Sequence, residues 1–271
     1  KGNVEDGFSI KASGNIEVHG TIGRCSIIAD GNIVVSGGIM GHDEGVVLAG
    51  GSLWAKFIQN TSVTVEEYVI VADGIMNSNV TAKKRIMLQG KRASIIGGHL
   101  FATEEISAKS VGSSGGGRET ILEVGFDPQL KQRMVVLVES KEALAKELEE
   151  VNLNIQTLDN MKKVRRSLSA DKEENLSSLL SRREEINTEM ATAETELQEI
   201  QERLHELKAI GKVSVSGTVY AGVKIFVRDV KDEVRADVKS VTFFYENGFV
   251  RRGKYEAPDE SITKKVFEGM A

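Results

Sequence analysis

The strongest constraint on what this 271-residue chain can fold into is a repeat. Phe8–Val111 divides into short units with a spacing of about 17 residues. Gly14-Asn15-Ile16-Glu17-Val18 sets the pattern and Gly31-Asn32-Ile33-Val34-Val35 repeats it. Four further units follow, centred on Leu53, Val69, Ile86 and Ile106. With the anchors at 16, 33, 53, 69, 86 and 106, the steps are 17, 20, 16, 17 and 20. Ala12, Ala29, Ala49, Val65, Ala82 and Ala102 stand four residues before the anchors. A small residue at a fixed place in each unit implies a fixed place in each turn of a solenoid.

Within a unit, apolar and polar residues alternate, as in Ile10, Ala12, Gly14, Ile16 and Val18, which is strand periodicity. One such unit cannot bury its apolar side alone, whereas stacked units align like residues into interior columns. The expected fold is therefore mainly β: a single-stranded parallel β-helix. Ile10, Ile16, Ile22, Ile28 and Val34 are spaced by six, as in left-handed hexapeptide helices, but steps of 17, 20 and 16 are not multiples of six. The right-handed form is favoured. Gly20, Gly37-Gly38, Gly74, Gly90 and Gly97-Gly98 fall between strands and are expected at corners with positive φ. An aromatic content of 5% suits a solenoid filled with Ile, Val and Ala better than a cavity-bearing enzyme. The chain opens inside a rung-like unit, Gly2-Asn3-Val4, so a fragment lacking an N-terminal part is expected.

At Asp127-Pro128 the composition changes, with a good N-cap followed by a residue favoured at the first helical position. No Gly or Pro occurs from there to Lys208, a stretch with 13 Lys/Arg and 17 Asp/Glu. Leu137, Leu144, Val151 and Leu158 recur every seven residues, with Leu148 and Ile155 between. Leu176, Leu179, Arg183, Ile186, Met190, Ala193, Leu197, Ile200, Leu204 and Leu207 alternate steps of three and four, a heptad seam. The break lies at Ser167-Leu168-Ser169-Ala170, and Asp171 with Glu174 is expected to form a capping box. Two helices of roughly 35 residues make an antiparallel α-helical coiled-coil hairpin about 50 Å long.

After it the ladder resumes. Gly211-Lys212-Val213-Ser214-Val215 matches the unit, with Ala209 four before the anchor. Antiparallel helices return the chain to where it left, so the hairpin reads as an insertion. Strands are expected at 223–227, 234–238 and 241–244, and a hairpin turn at Glu246-Asn247-Gly248-Phe249. The Phe/Tyr-rich run from Phe243 to Tyr255 is expected to cap the solenoid. The expected organisation is residues 1–126 as first β-helix block, 127–210 as hairpin, 211–257 as continuation and cap, and 258–271 as a loose tail.

This arrangement resembles the flagellar assembly protein A family. The stretches that carry it are Gly14-Asn15-Ile16-Glu17-Val18-His19-Gly20, Gly37-Gly38-Ile39-Met40-Gly41 and Ala55-Lys56-Phe57-Ile58-Gln59-Asn60. Asn79-Val80, Leu122-Glu123-Val124-Gly125-Phe126-Asp127-Pro128 and Gly217-Thr218-Val219-Tyr220-Ala221-Gly222-Val223 extend the likeness over nearly all of residues 2–255. The resemblance implies a bacterial cytoplasmic β-solenoid with a coiled-coil insertion, tied to flagellum biogenesis. It implies an N-terminal domain that is absent here, and no catalytic residues.

Motifs for chemistry are sparse. His19, His42, His99 and His205 show no metal-ligand spacing; His19 and His99 read as corner residues and His205 as part of a charged helix face. The polar cluster Gly41-His42-Asp43-Glu44-Gly45 reads as a charged loop tip rather than a site. Gly112-Ser113-Ser114-Gly115-Gly116-Gly117 precedes Arg118-Glu119-Thr120 and then a strand, so it reads as a corner, not a phosphate-binding loop. Cys25 alone excludes an internal disulfide and reads as a small buried rung residue. Trp54 and Phe57 read as core or subunit contact rather than a carbohydrate platform. A net charge of −5 argues against a nucleic-acid partner, and no apolar run is long enough to cross a bilayer.

The expectation is a cytoplasmic, non-enzymatic scaffold without cofactor, metal or catalytic residues. Its partners are proteins of flagellar assembly or its regulation. Lys162, Lys163, Arg165 and Arg166, near the hairpin tip, are the candidate partner-binding residues, for an acidic protein or an anionic membrane surface. A self-associating, bactofilin-like cytoskeletal solenoid and a β-helix enzyme, acyltransferase or polysaccharide-active, are the alternatives.

Overall fold

The computed structural model describes residues 2–115, 117–125, 128–165, 169–206 and 211–258. Its residues divide into two compact units, one built from the strands before and after the helices and the other from the helices themselves.

The first unit is a parallel β-solenoid of about six turns. Short strands β1 (Ser9–Ala12), β2 (Ile16–Val18), β3 (Ser26–Ala29) and β4 (Ile33–Val35) begin it. Longer ones follow: β5 (Ile39–Ala49), β6 (Leu53–Val65) and β7 (Tyr68–Ala82). Then come β8 (Arg85–Leu88), β9 (Ser94–Ala102), β10 (Glu105–Val111) and β11 (Thr120–Val124). Two helices, α1 (Pro128–Arg165) and α2 (Ala170–Glu206), form the second unit. Strands resume with β12 (Lys212–Val219), β13 (Lys224–Val227), β14 (Val230–Glu233), β15 (Val238–Glu246) and β16 (Phe249–Lys254).

The anchor column is continuous. Ile16 pairs with Ile33, Ile33 with Leu53, Leu53 with Val69, Val69 with Ile86, Ile86 with Ile106 and Ile106 with Val213. From Ile33 to Val213 every member is 0% exposed, and each buried aliphatic contributes about 1.5–3 kcal/mol of hydrophobic stabilisation. The small-residue column runs Ala12, Ala29, Ala49, Val65, Ala82 and Ala102. It continues to Val124 and Val227. Val124 therefore fills the next place in this column, where the repeat pattern pointed to Ala209. Ala209 lies outside the described residues.

The corners correct a second expectation. Of the corner glycines singled out, only Gly97 and Gly98 have positive φ. At the others the missing side chain matters, not the dihedral. A Cβ at Gly37 would collide with the Gly20 carbonyl, one at Gly38 with the Phe57 ring, and one at Gly90 with the Ala72 carbonyl oxygen. Left-handed corners are taken instead by Asn60 and Asn77, with φ of 48° and 49°, a conformation Asn tolerates well. Buried hydroxyls satisfy the corner amides turn by turn. Gly41 N donates to Thr61 Oγ1, Thr61 N to Ser78 Oγ and Gly97 N to Thr120 Oγ1, at 2.8–3.2 Å.

At the C-terminal side the pairing reverses. β14 is antiparallel to β13, β15 to β12 and β16 to β15, so the parallel register ends there. Phe243 fills the interior at 0% exposure. Asn247 and Gly248, both with positive φ, make the β15–β16 turn. The strand expected at 234–238 is displaced: β14 occupies Val230–Glu233 and Val238 opens β15. The loose tail expected at 258–271 lies, apart from Pro258, outside the described residues. One outward face is also closed. Ile70, Met87, Ser107, Ser214 and Thr242 are buried although alternation points them away from the interior. Glu256 crosses this face, its amide donating to Thr242 Oγ1 and its carboxylate pairing with Lys212 at 3.2 Å.

Candidate interaction surface

The helices are held by their own seam. Leu144, Leu148, Val151, Ile155 and Leu158 of α1 pack with Leu176, Leu179, Ile186 and Met190 of α2. Earlier in α1, Leu130, Met134 and Leu137 meet Ala193, Leu197 and Ile200. Early α1 thus faces late α2, an antiparallel pair, as the heptad pattern indicates. Polar flanks reinforce it. Arg133 binds both carboxylate oxygens of Glu196 at 2.6 and 2.7 Å, and Arg182 binds both of Glu147 at 2.8 and 3.0 Å. These guanidinium hydrogen bonds hold the Glu196 and Glu147 carboxyls below the usual carboxylate range. The expected Asp171–Glu174 capping box is not how α2 begins. The Ser169 carbonyl accepts from Lys172 N and Glu173 N, and Asp171 lies inside the first turn, where its charge complements the helix dipole.

Of the candidate binding residues, Lys162 and Lys163 are exposed on the last turn of α1. Arg165 is the last residue of that helix, and Arg166 lies outside the described residues. Val164 between them is 83% exposed, the most exposed of the large apolar side chains described. Met161, beside it, is 39% exposed and receives Lys172 Nζ on its sulfur at 3.8 Å.

Where the chain leaves and rejoins the solenoid, two glycines touch. A Cβ added to Gly125 would lie 3.6 Å from Gly211 Cα, and one added to Gly211 would collide with the Gly125 backbone. The 85 residues between Gly125 and Gly211 thus span almost no distance.

The solenoid corner just before the anchor column changes chemistry along the axis. In early turns, Asn15 Oδ1 accepts from Asn32 N and Asn32 Oδ1 from Ser52 N, both at 2.8 Å. In later turns the same corner alternates in charge. Glu66 pairs with Lys83, Glu67 with Lys84 at 2.7 Å, and Arg85 with Glu104 at 2.6 Å. Glu105 lies between Arg85 and Lys212, each at 3.8 Å, with its side chain only 3% exposed. Burial raises its carboxyl above the usual range, against the lowering effect of Lys212 and Arg85.

The family model described as FapA, Flagellar Assembly Protein A beta solenoid domain, matches residues 1–250. The chain belongs to this family. No curated protein and no solved structure matches it.

In this Flagellar Assembly Protein A solenoid the dispersed polar residues do not converge. His99 sits on strand β9 rather than at a corner, with Nε2 2.9 Å from Glu123 Oε2. His19 lies beyond β2 near Glu17, His42 is in β5 with φ of 49°, and His205 lies within α2. Asp43 is 3.5 Å from Arg118. Cys25 is buried, its thiol donating to the Glu5 carbonyl at 2.9 Å. Trp54 faces outward, half-buried, instead of entering the core. Among the described residues no three His, Cys, Asp or Glu side chains form a metal-binding group, and no helix is long and apolar enough to cross a membrane. Sequence reasoning missed the alternating-charge corner. Its signal was present in Glu66-Glu67, Lys83-Lys84-Arg85 and Glu104-Glu105, once these runs are aligned on the repeat.

Proposed function

We propose that this protein is a scaffold in flagellar assembly and that its helical hairpin is the element that docks a protein partner. Family membership supports the flagellar role. The contact between Gly125 and Gly211 carries the docking role: the solenoid backbone is continuous without the hairpin. A 38-residue and a 37-residue helix have a private apolar seam, and none of their described residues belongs to the solenoid interior cluster. Retaining them calls for a role outside that core, and burying only the seam leaves both outer faces available for contact. Lys162, Lys163, Arg165 and Arg166 give one end of this pair a local positive charge on a chain of net charge −5. Such a patch speeds capture of an acidic surface, more at low salt. The role is cytoplasmic and non-enzymatic in this reading.

Reversing the four basic residues to Glu in the full-length protein should leave folding intact and weaken partner capture, with most of the loss at low ionic strength. Motility and pull-down of flagellar proteins are the readouts. Wild-type motility and capture at normal expression would remove the basic end from the docking surface. Loss of binding to anionic vesicles alone, with protein capture intact, would reassign it to lipid headgroups.

A further inference from the structure

A second corner of the solenoid carries mostly positive charge. Pairing of Ala55 with Val71 and Phe57 with Gly74 sets Lys56 opposite Ala72-Asp73. Pairing of Val71 with Leu88 and Gly74 with Ser94 sets Asp73 opposite residues 89–93, which include Lys91 and Arg92. Lys109 follows, its amide bonded to the Ala93 carbonyl at 2.9 Å. Ala108 with Val215 and Ser110 with Thr218 bracket Lys109 against Ser216-Gly217, and Thr218 pairs with Lys239. Lys56, Lys91, Arg92 and Lys109 thus share this corner along the solenoid axis, and Lys239 lies one strand position beside it, level with Ser110 and Thr218; all five are exposed. At about 4.8 Å per strand step the row is roughly 24 Å long.

The row is stacked tightly and left unneutralised. A side chain at Gly217 would press on the Lys109 carbonyl, and Lys109 Nζ donates to the Lys91 carbonyl at 3.0 Å. Asp73 is the one acid at these corner positions. Among the described residues, none of the five cations has a carboxylate partner, whereas the corner before the anchor column pairs its charges in alternation.

We propose that this ridge docks an extended acidic segment of a partner protein, independently of the hairpin. The row is one corner wide, which suits a chain and not a plane. At about 3.3 Å per residue, an extended segment of about eight residues spans the roughly 24 Å row, so its carboxylates can reach cations along its whole length. The corner residues 72–73, 89–93, 109 and 216–217 include no aromatic side chain for base stacking and no large aliphatic one for membrane insertion.

The test is fluorescence anisotropy of the full chain with a labelled, glutamate-rich peptide of about ten residues, at low and physiological salt. Wild type should bind, more weakly as salt rises. Lys56→Glu, Lys91→Glu, Arg92→Glu and Lys109→Glu together should weaken binding by roughly tenfold or more. The matching glutamine variant, which removes charge without adding repulsion, should lose binding in the same direction and keep the wild-type melting temperature. Lys162→Glu with Lys163→Glu should bind the peptide as wild type does. Unchanged binding by the ridge variants would overturn the proposal. So would oligothymidylate or phosphatidylglycerol vesicles binding wild type as tightly as the peptide does.

Discussion

A residue's place in its turn, more than its type, sets its role here. Ile33 and Glu17 both lie on short strands, but Ile33 is 0% exposed in the anchor column while Glu17 faces outward and is exposed. Ile33→Ala should destabilise the solenoid by about 2–5 kcal/mol and Glu17→Ala by no more than about 0.5 kcal/mol in denaturant titrations. Equal losses would mean the register is wrong by one residue. Glu105 makes a second case. Its folded-state pKa is raised, so the native state binds its proton more tightly than the unfolded chain does. Ionising it therefore removes stability as pH rises from the ordinary carboxylate range through the raised value. Glu105→Gln should melt no lower than wild type at neutral pH, with any advantage shrinking as pH falls through that window. A variant far less stable than wild type at neutral pH would show that the ion pairs to Arg85 and Lys212 outweigh burial.

At the scale of elements, strand positions were legible wherever an apolar residue recurred at fixed spacing, because interior columns accept little else. Ile16 through Val213 and Ala12 through Ala102 follow the repeat residue by residue. The heptads of α1 and α2 were legible for the same reason. What escaped was set by neighbours in the adjacent turn. Gly37, Gly38 and Gly90 suggest positive φ in isolation, but they are needed because carbonyls or a ring from other turns approach them. Val124 takes the next place in the small-residue column after Ala102, although the helices separate it in sequence from the anchor Val213. Ile70 and Met87 obey alternation yet are buried, since the outward face on which they stand is itself closed. Of the candidate site, the basic run at the end of α1 was plain in the sequence. The Lys56–Lys239 row was not, because apart from the neighbours Lys91 and Arg92 its successive members lie 17 to 130 residues apart and meet only through register.

For the whole molecule, the account rests on separability. Among the described residues, the solenoid has one interior cluster, from Ile16 to Phe243, that includes no residue of α1 or α2. The described residues of the helices form two clusters that include no residue of the strands. The chain leaves and rejoins the solenoid at touching glycines, so removing the hairpin opens no gap in the ladder. The most direct measurement is circular dichroism with thermal melting of a variant in which Asp127 is joined to Gly211 through a short Gly/Ser linker. The predicted result is a β-type spectrum stripped of its helical component and a single cooperative melt. An unfolded or non-cooperative chain would contradict the account, because it would make the helices part of the solenoid core.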